Sequence, residues 1–383
     1  MNNIPHLPCG VIPPHILSRV AETAGEDCDD ARATLEQMRE LASTRTHAPI
    51  DHSILPVKAA PKPEKHRRVS DAQYHTTLPG KLVRSDHKTR GGDVEVAEAW
   101  DGSGATYDFF AQVFGRDSID GRGMRIDSTV HYSRRFDNAM WNGSEMVYGD
   151  GDGRIFNRFT AAPDVIGHEL THGVTQYTAG LGYFGQTGAL NEHISDAFGI
   201  MVKQYKFGQT VHESDWLIGA GLFTPKIHAL GIRSMAAPGT AYDDPLVGRD
   251  PQPSHMSGYV ETEDDNGGVH INSGILNHGF YLAAMAIGGK SWEVLGQVWY
   301  AVLTQRLTSD ADFHDFARAT VDIAGEMYGN GGSVQRIVAE AWTEVGLPVP
   351  LFTCTSATEH VSRRTGIHHV VGDSPVTKWR QRA

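Results

Sequence analysis

His168-Glu169-Leu170-Thr171-His172 places two imidazoles four residues apart. On a helix that is about one turn along one face, so both rings can reach a single metal ion. Neutral imidazole suits Zn²⁺, and the intervening glutamate can act as general base on a metal-activated water. A second block, Gly188-Ala189-Leu190-Asn191-Glu192-His193-Ile194-Ser195-Asp196, supplies Glu192 as a third ligand from a following helix. Two histidines and a glutamate leave the fourth position of a tetrahedral zinc open, the arrangement of a catalytic site rather than a structural one. Asp196, one turn after Glu192, is placed to hold a ligand histidine by its other ring nitrogen. The chain has 20 histidines, so the first block alone could arise from composition. The second block, at helical spacing after a glycine-broken connection, decides for chemistry.

Pro163 followed by Asp164 marks a helix start, because proline fits the first helical position and an acid suits the N-terminal turn. That helix carries both histidines. From residue 188 onward helical periodicity dominates, as in Ile275 to Ile287, Phe313 to Met327 (closed near Gly329) and Val334 to Val345. Residues 92–160 are glycine-rich with short apolar and aromatic runs, which predicts a mainly β lobe. The expected fold class is α+β, with a β-rich N-terminal lobe and a mainly α C-terminal lobe joined by the zinc helix. The cleft would lie between them, where ligand sites are common. Gly149-Asp150-Gly151-Asp152-Gly153 is similar to the start of an EF-hand calcium loop. Arg154 and Ile155 stand where a ligand and the loop glycine belong, so a glycine-rich turn is the better reading.

At 383 residues, 40% hydrophobic and 21% charged, the chain can fill two cores. A net charge of −12 argues against nucleic acid as a partner. No apolar run approaches the ~20 residues of a membrane helix. Three cysteines, Cys9, Cys28 and Cys354, build no disulfide framework. The first residues lack a basic segment followed by an apolar one, so no Sec signal peptide is expected; cytoplasm and leaderless secretion both stay open.

Ile16, Leu17, Val20 and Ala21 recur at helical spacing after Pro13-Pro14, and Leu35, Met38, Leu41 and Ala42 form a second apolar stripe. Val57 to Arg68 is rich in proline and lysine and reads as an exposed linker. Two short helices before a basic linker predict a removable propeptide, a docking domain that stays attached being the alternative. The expected organisation is a propeptide at 1–56, a linker at 57–68, a β-rich peptidase domain at 69–163 and an α-helical peptidase domain at 164–347. Residues 348–383 form a C-terminal extension that could be a flexible tail, a docking segment or a second removable piece.

The histidine and glutamate blocks resemble the thermolysin-type zinc neutral metalloendopeptidases, and three further stretches match. Asn138-Ala139-Met140-Trp141-Asn142-Gly143-Ser144, running into Met146 to Gly153, resembles the edge strand that binds extended substrate. Asp265-Asn266-Gly267-Gly268-Val269-His270 resembles the segment carrying the transition-state histidine, and Tyr177 to Tyr183 ends in the matching tyrosine. The resemblance covers roughly residues 68 to 347. It implies Glu169 as general base, His270 and Tyr183 as oxyanion donors, and Asp265 as the group that orients His270. It further implies that Asn138, the Ala139 backbone and Trp141 hold the peptide as an added strand, and that Arg233 bonds a substrate carbonyl on the primed side. Val165 and Ile232 would line an apolar pocket, giving cleavage before bulky hydrophobic residues. The Pro-Pro-hydrophobic start resembles the protealysin-like branch, whose short propeptide lies over the cleft as an intramolecular inhibitor. The partners implied are peptide or protein substrates, with the enzyme a monomer. Cys9 then reads as a small apolar residue rather than a zinc ligand.

Calcium is where the chain departs from the better-known members. Lys203 stands where the resemblance predicts a bridging glutamate, and Leu217 and Ala220 replace two acids, leaving Asp215. One carboxylate beside an ammonium cannot supply the about six to eight oxygens that Ca²⁺ prefers, so the double calcium site is expected to be absent, with Lys203 paired to Asp215. Two rival functions are a zinc peptidase of other specificity and a catalytically silent binding protein of the same fold. An aminopeptidase would need a charged subsite for the free amine, and no such cluster lies near the motif. A silent homologue would be expected to lose one of Glu169, Tyr183 or His270, and all are present.

Overall fold

A computed structural model describes residues 10–23, 26–43, 64–87 and 92–351. Cys9, residues 57–63 of the linker and the extension beyond Leu351 fall outside them. Helix α1 (Pro14–Ala21) opens with proline at its first position and buries Ile16, Leu17 and Val20. Helix α2 (Glu26–Ser43) packs on it and buries Thr34, Met38 and Leu41.

Strands β1 (Arg67–Asp71), β2 (Lys81–Ser85), β3 (Ile126–Val130), β4 (Ala139–Trp141) and β5 (Met146–Tyr148) form a sheet of order β2-β1-β3-β5-β4. The β1–β3 and β3–β5 pairs are parallel, and β4 runs antiparallel to β5 at the sheet edge, Ala139 opposite Tyr148. Strand β1 already begins at Arg67, inside the stretch that composition assigns to the linker. The Arg67 guanidinium sits 3.8 Å over the Trp100 ring and donates to the Trp100 carbonyl at 2.7 Å.

One long element departs from the mainly β expectation for residues 92–160. Helix α3 (Val94–Phe114) fills a third of that stretch, capped by Asp93, which accepts from Val96 N–H at 3.0 Å. Its Gly102 and Gly104 belong to the glycine-rich composition that predicts a β lobe. In space they let neighbours approach: a Cβ on Gly102 would lie 2.2 Å from Ile166 Cδ1, and one on Gly104 2.2 Å from Arg67 Nη1.

Helix α4 (Pro163–Gln176) carries the two motif histidines and α5 (Gly185–Phe207) carries Glu192. The two cross on glycine. A Cβ on Gly199 would stand 2.6 Å from the Asp164 carbonyl and 3.1 Å from His168 N, and one on Gly167 would stand 3.2 Å from Gly199 Cα. Backbones therefore touch, and that closeness delivers Glu192 to the histidines. Helices α6 (Asp265–Ile287), α7 (Leu295–Gln305), α8 (Phe313–Tyr328) and α9 (Ser333–Glu344) complete the helical lobe around Phe280, Trp299, Phe316 and Trp342. Strand β6 (Leu217–Ile218) pairs antiparallel with β7 (Arg233–Ser234), and β8 (Asp243–Asp244) with β9 (Gly248–Arg249). The α+β, two-lobed architecture is as expected.

Lys203, on α5, donates to both Asp215 oxygens at 2.8 and 2.9 Å and to the Leu217 carbonyl at 3.1 Å, with Asp164 Oδ2 at 3.9 Å. An ammonium thus sits among the oxygens of this loop.

Candidate active site

The helix pitch of α4 brings His168 Nε2 and His172 Nε2 to 3.1 Å from one another. Glu192 adds Oε2 at 3.4 Å from the first and Oε1 at 3.3 Å from the second. Metal–ligand bonds of about 2.0–2.1 Å at tetrahedral angles would space donors about 3.3 Å apart, so this triangle fits one zinc ion. The other ring nitrogens are committed elsewhere. His168 Nδ1 lies 2.8 Å from Asp196 Oδ1, and His172 Nδ1 lies 3.0 Å from Asn191 Oδ1 and 3.1 Å from Ser195 Oγ. These partners fix each tautomer with its Nε2 lone pair facing the metal position. Burial holds His168 down to about 4, so it is neutral and able to ligate at pH 7.

Glu169 and Trp141 meet where α4 passes the sheet edge: the Trp141 N–H donates to Glu169 Oε2 at 2.8 Å. The indole N–H goes instead to Gln176 Oε1 at 3.0 Å, and the ring packs where Gly173 leaves room. Trp141 therefore reaches this site through its backbone rather than its ring.

The start of α6 is not helical. Asp265 and Asn266 both have φ 52°, and Gly267 and Gly268 follow at 83° and 73°. Asp and Asn are the non-glycine residues that enter this left-handed region most readily. The turn swings the Asp265 carboxylate back onto His270, accepting from its N–H at 2.9 Å and meeting its Nδ1 at 2.6 Å. Burial disfavours a charged His270, but Asp265 and Glu192 outweigh it and push the imidazole up to about 9. His270 Nε2 lies 3.4 Å from the Tyr183 hydroxyl, which donates to Glu192 Oε1, and 3.5 Å from Glu192 Oε2.

Asp196 ties the metal position to Arg233. Arg233 donates to both of its oxygens at 2.8 Å, through Nε and Nη2. Burial would raise the Asp196 carboxyl, yet Arg233 and His168 hold it far below the usual range. The third guanidinium nitrogen, Nη1, donates to the Val11 carbonyl at 3.1 Å. Val11 N–H donates to the Ala139 carbonyl at 3.1 Å, and Ile12 N–H to Asn138 Oδ1 at 3.0 Å. Asn138 Nδ2 reaches back to the Ile12 carbonyl at 3.2 Å and to Met38 Sδ at 3.1 Å. Val11 and Ile12 thus sit against β4 through one backbone bond and the Asn138 side chain, with His15 beyond them at 2.9 Å from the Tyr242 hydroxyl.

Hydrogen bonds and close approaches join His168, Glu169, His172, Glu192, Asp196, Tyr183, Asp265, His270, Asn138, Ala139, Trp141 and Arg233 here, whereas Val165 and Ile232 are buried, Ile232 against Gly219. Motif spacing does not single out Asn191 and Ser195, although both sit in the block that carries Glu192. Nor does it single out Gln252, whose Nε2 donates to the His270 carbonyl at 2.7 Å and has no motif to betray it. Among the described residues one other group could hold a metal, Asp93, Glu95 and His131. There His131 commits both ring nitrogens to carboxylates, Asp150 at 2.8 Å and Asp93 at 3.0 Å, as a bridging imidazolium.

Known families share this arrangement. Residues 57–176 match the family model of the thermolysin metallopeptidase catalytic domain, and residues 179–347 that of its alpha-helical domain. The chain belongs to the thermolysin family of zinc metallopeptidases. Within it, this thermolysin-type peptidase is 51% identical over 343 residues to an extracellular metalloprotease of Pectobacterium carotovorum subsp. carotovorum, covering 89% of this chain and 97% of that one. It is 43% identical over 347 residues to protease PrtS of Photorhabdus sp. (strain Az29), covering 89% and 92%. The solved precursor of protealysin, a metalloproteinase from Serratia proteamaculans, superposes with a TM-score of 0.80 at 49% identity, over 88% of this chain and 99% of that one. The protein is a zinc metalloendopeptidase, with His168, His172 and Glu192 as the zinc group.

Proposed function

We propose that this chain is a latent precursor of a zinc endopeptidase that cleaves before bulky hydrophobic residues, held inactive by its own N-terminal segment. The observation that carries the reading is the seat of Val11 and Ile12: their backbone occupies the peptide-binding groups of Ala139, Asn138 and Arg233 beside the zinc group. A substrate strand needs those same groups. Val165 and Ile232, matching the family's pocket positions and apolar here, support an apolar pocket after the cleaved bond.

Zinc held by His168, His172 and Glu192 supplies a Lewis acid that polarises the scissile carbonyl and acidifies the attacking water. Glu169, its Oε2 held by the Trp141 amide, takes the water's proton and passes it to the leaving amine. His270 Nε2–H and the Tyr183 hydroxyl donate to the oxyanion that forms as the carbonyl carbon becomes tetrahedral, a contribution of about 10²–10³ in rate for each such donor. Asp265 keeps His270 protonated and aimed. Arg233 grips a carbonyl on the primed side.

Lys203 among Asp215, Asp164 and the Leu217 carbonyl supports a precursor without the paired calcium site, its loop held by an internal cation. The name of the Pectobacterium relative supports action outside the cell. We take residues 1–56 as the removable segment and the enzyme as a monomer.

The test uses zinc-loaded full-length protein and Glu169→Ala, followed by intact mass and by cleavage of quenched peptides differing at the residue after the bond. Loss of a fragment ending near residues 45–70, with activity only in the wild-type chain and only on peptides carrying a bulky apolar residue there, is the expected result. Full activity of the intact precursor would overturn latency, and indifference to that residue would overturn the specificity.

A further inference from the structure

Asp196 has a donor that belongs neither to the zinc group nor to substrate binding: Asn277 Nδ2, on α6, 2.8 Å from Oδ2. Behind it runs a buried series of polar side chains from three helices. Asn277 Oδ1 lies 2.8 Å from His193 Nδ1, and His193 Nε2 accepts from the Trp299 indole N–H at 2.9 Å. Trp299, His193, Asn277 and Asp196 are each at 0% exposure, so bulk water satisfies none of them.

The direction of every bond is forced. An indole nitrogen only donates, so His193 Nε2 must be the bare, accepting nitrogen. Its proton then sits on Nδ1 and is given to Asn277 Oδ1. The amide therefore turns its NH₂ toward Asp196, an ionised carboxylate that only accepts. The two ends of the series fix the same amide orientation independently. Each donor polarises the next, and the last adds to Asp196 a bond that Arg233 alone does not provide. With Oδ2 held by Asn277 and Arg233 Nε, Oδ1 stays turned to His168 Nδ1–H and Arg233 Nη2.

We propose that Trp299, His193 and Asn277 are positioning residues for the zinc centre, a one-way hydrogen-bond series that sets Asp196 and, through it, the tautomer and aim of His168. The inference rests on zinc at His168, His172 and Glu192. It extends the support of the metal site from α4 and α5 to α6 and α7.

The measurement is zinc affinity by competition with a chromophoric chelator, together with the melting temperature of the zinc-free protein. Both are read in the Glu169→Ala background so that no chain is cut. Asn277→Leu keeps volume but removes the donor and should weaken zinc binding about 10–100-fold, the usual effect of losing such a support. His193→Leu should also weaken it, whereas His193→Gln, which can accept from Trp299 and donate to Asn277, should restore most of the affinity. Ile275→Val, on the same helix but outside the series, controls for simple destabilisation. Unchanged zinc affinity in Asn277→Leu, or equal losses in His193→Leu and His193→Gln, would overturn the proposal. So would a loss in Ile275→Val as large as that in Asn277→Leu at a matched melting temperature. If Asn277→Leu does not fold, the His193 pair decides alone. A parent that keeps its zinc when His168 is replaced by alanine would instead overturn the assignment of the metal site.

Discussion

At the scale of single residues the site divides proton work from positioning work. Replacing Glu169 by alanine should cut turnover by about 10²–10⁴ while leaving bound zinc unchanged, because Glu169 lies outside the ligand triangle. Zinc content measured beside activity checks it. His131 offers a prediction away from catalysis. The Asp150 hydrogen bond first, then Asp93, outweigh partial burial and raise it from the ordinary 6.5 to about 9. A raised folded-state value means its ion pairs stabilise fully below pH 6.5, and that this contribution fades as pH climbs through about 9. The melting-temperature gap between wild type and His131→Gln, both carrying Glu169→Ala, should therefore be widest near pH 6 and narrow by pH 9.5; a constant gap would contradict the pairing. Residue-level legibility is uneven for a physical reason. His168, Glu169 and His172 are readable because helix pitch alone fixes their relation. The Trp141 amide on Glu169 is not, since a backbone group has the same identity at every position. Asn277 is not either, because its meaning depends on partners from other helices.

At the scale of elements, glycine is the residue whose meaning a sequence hides. Gly102 and Gly104 count toward a β lobe in what is the interior of α3, where they admit Ile166 and Arg67. Gly167 and Gly199 work the same way where α4 crosses α5, and there the consequence reaches the metal. Gly199→Ala gains about 1 kcal/mol of helix propensity, yet overpacking costs about 1–3 kcal/mol. The new methyl would meet the Asp164 carbonyl at 2.6 Å, a backbone atom with no rotamer to change, so the second effect should win. We expect a melting temperature lower by a few degrees and weaker zinc binding, since α5 must retreat with Glu192. Calorimetry and chelator competition would show both. The paired lobes, the zinc helix and the later helices are legible from periodicity, which needs no knowledge of partners.

At the scale of the whole molecule, the N-terminal segment is fastened along much more than its cleft contacts. Thr34 Oγ1 accepts from Asp137 N–H at 3.1 Å, Gln37 donates to Ser133 at 2.8 Å, and Asp30 pairs with Arg135 at 3.1 Å. Gly10 marks the tightest point, because a Cβ there would lie 2.9 Å from both Asn138 side-chain oxygen and nitrogen. Gly10→Ala should therefore make a leaky precursor, with peptide cleavage detectable before any change in intact mass; tight latency in that variant would speak against this seat. None of these contacts depends on the peptide chain being whole between α2 and β1. While it is whole, the segment confronts the cleft at an effective concentration of about millimolar order, as for other short tethers. Once it is cut, the same surfaces meet as two separate solutes, and their association obeys mass action. A single backbone cut would thus alter the molecularity of inhibition and not its fit: freshly processed enzyme is expected to stay quiet when crowded and wake on dilution.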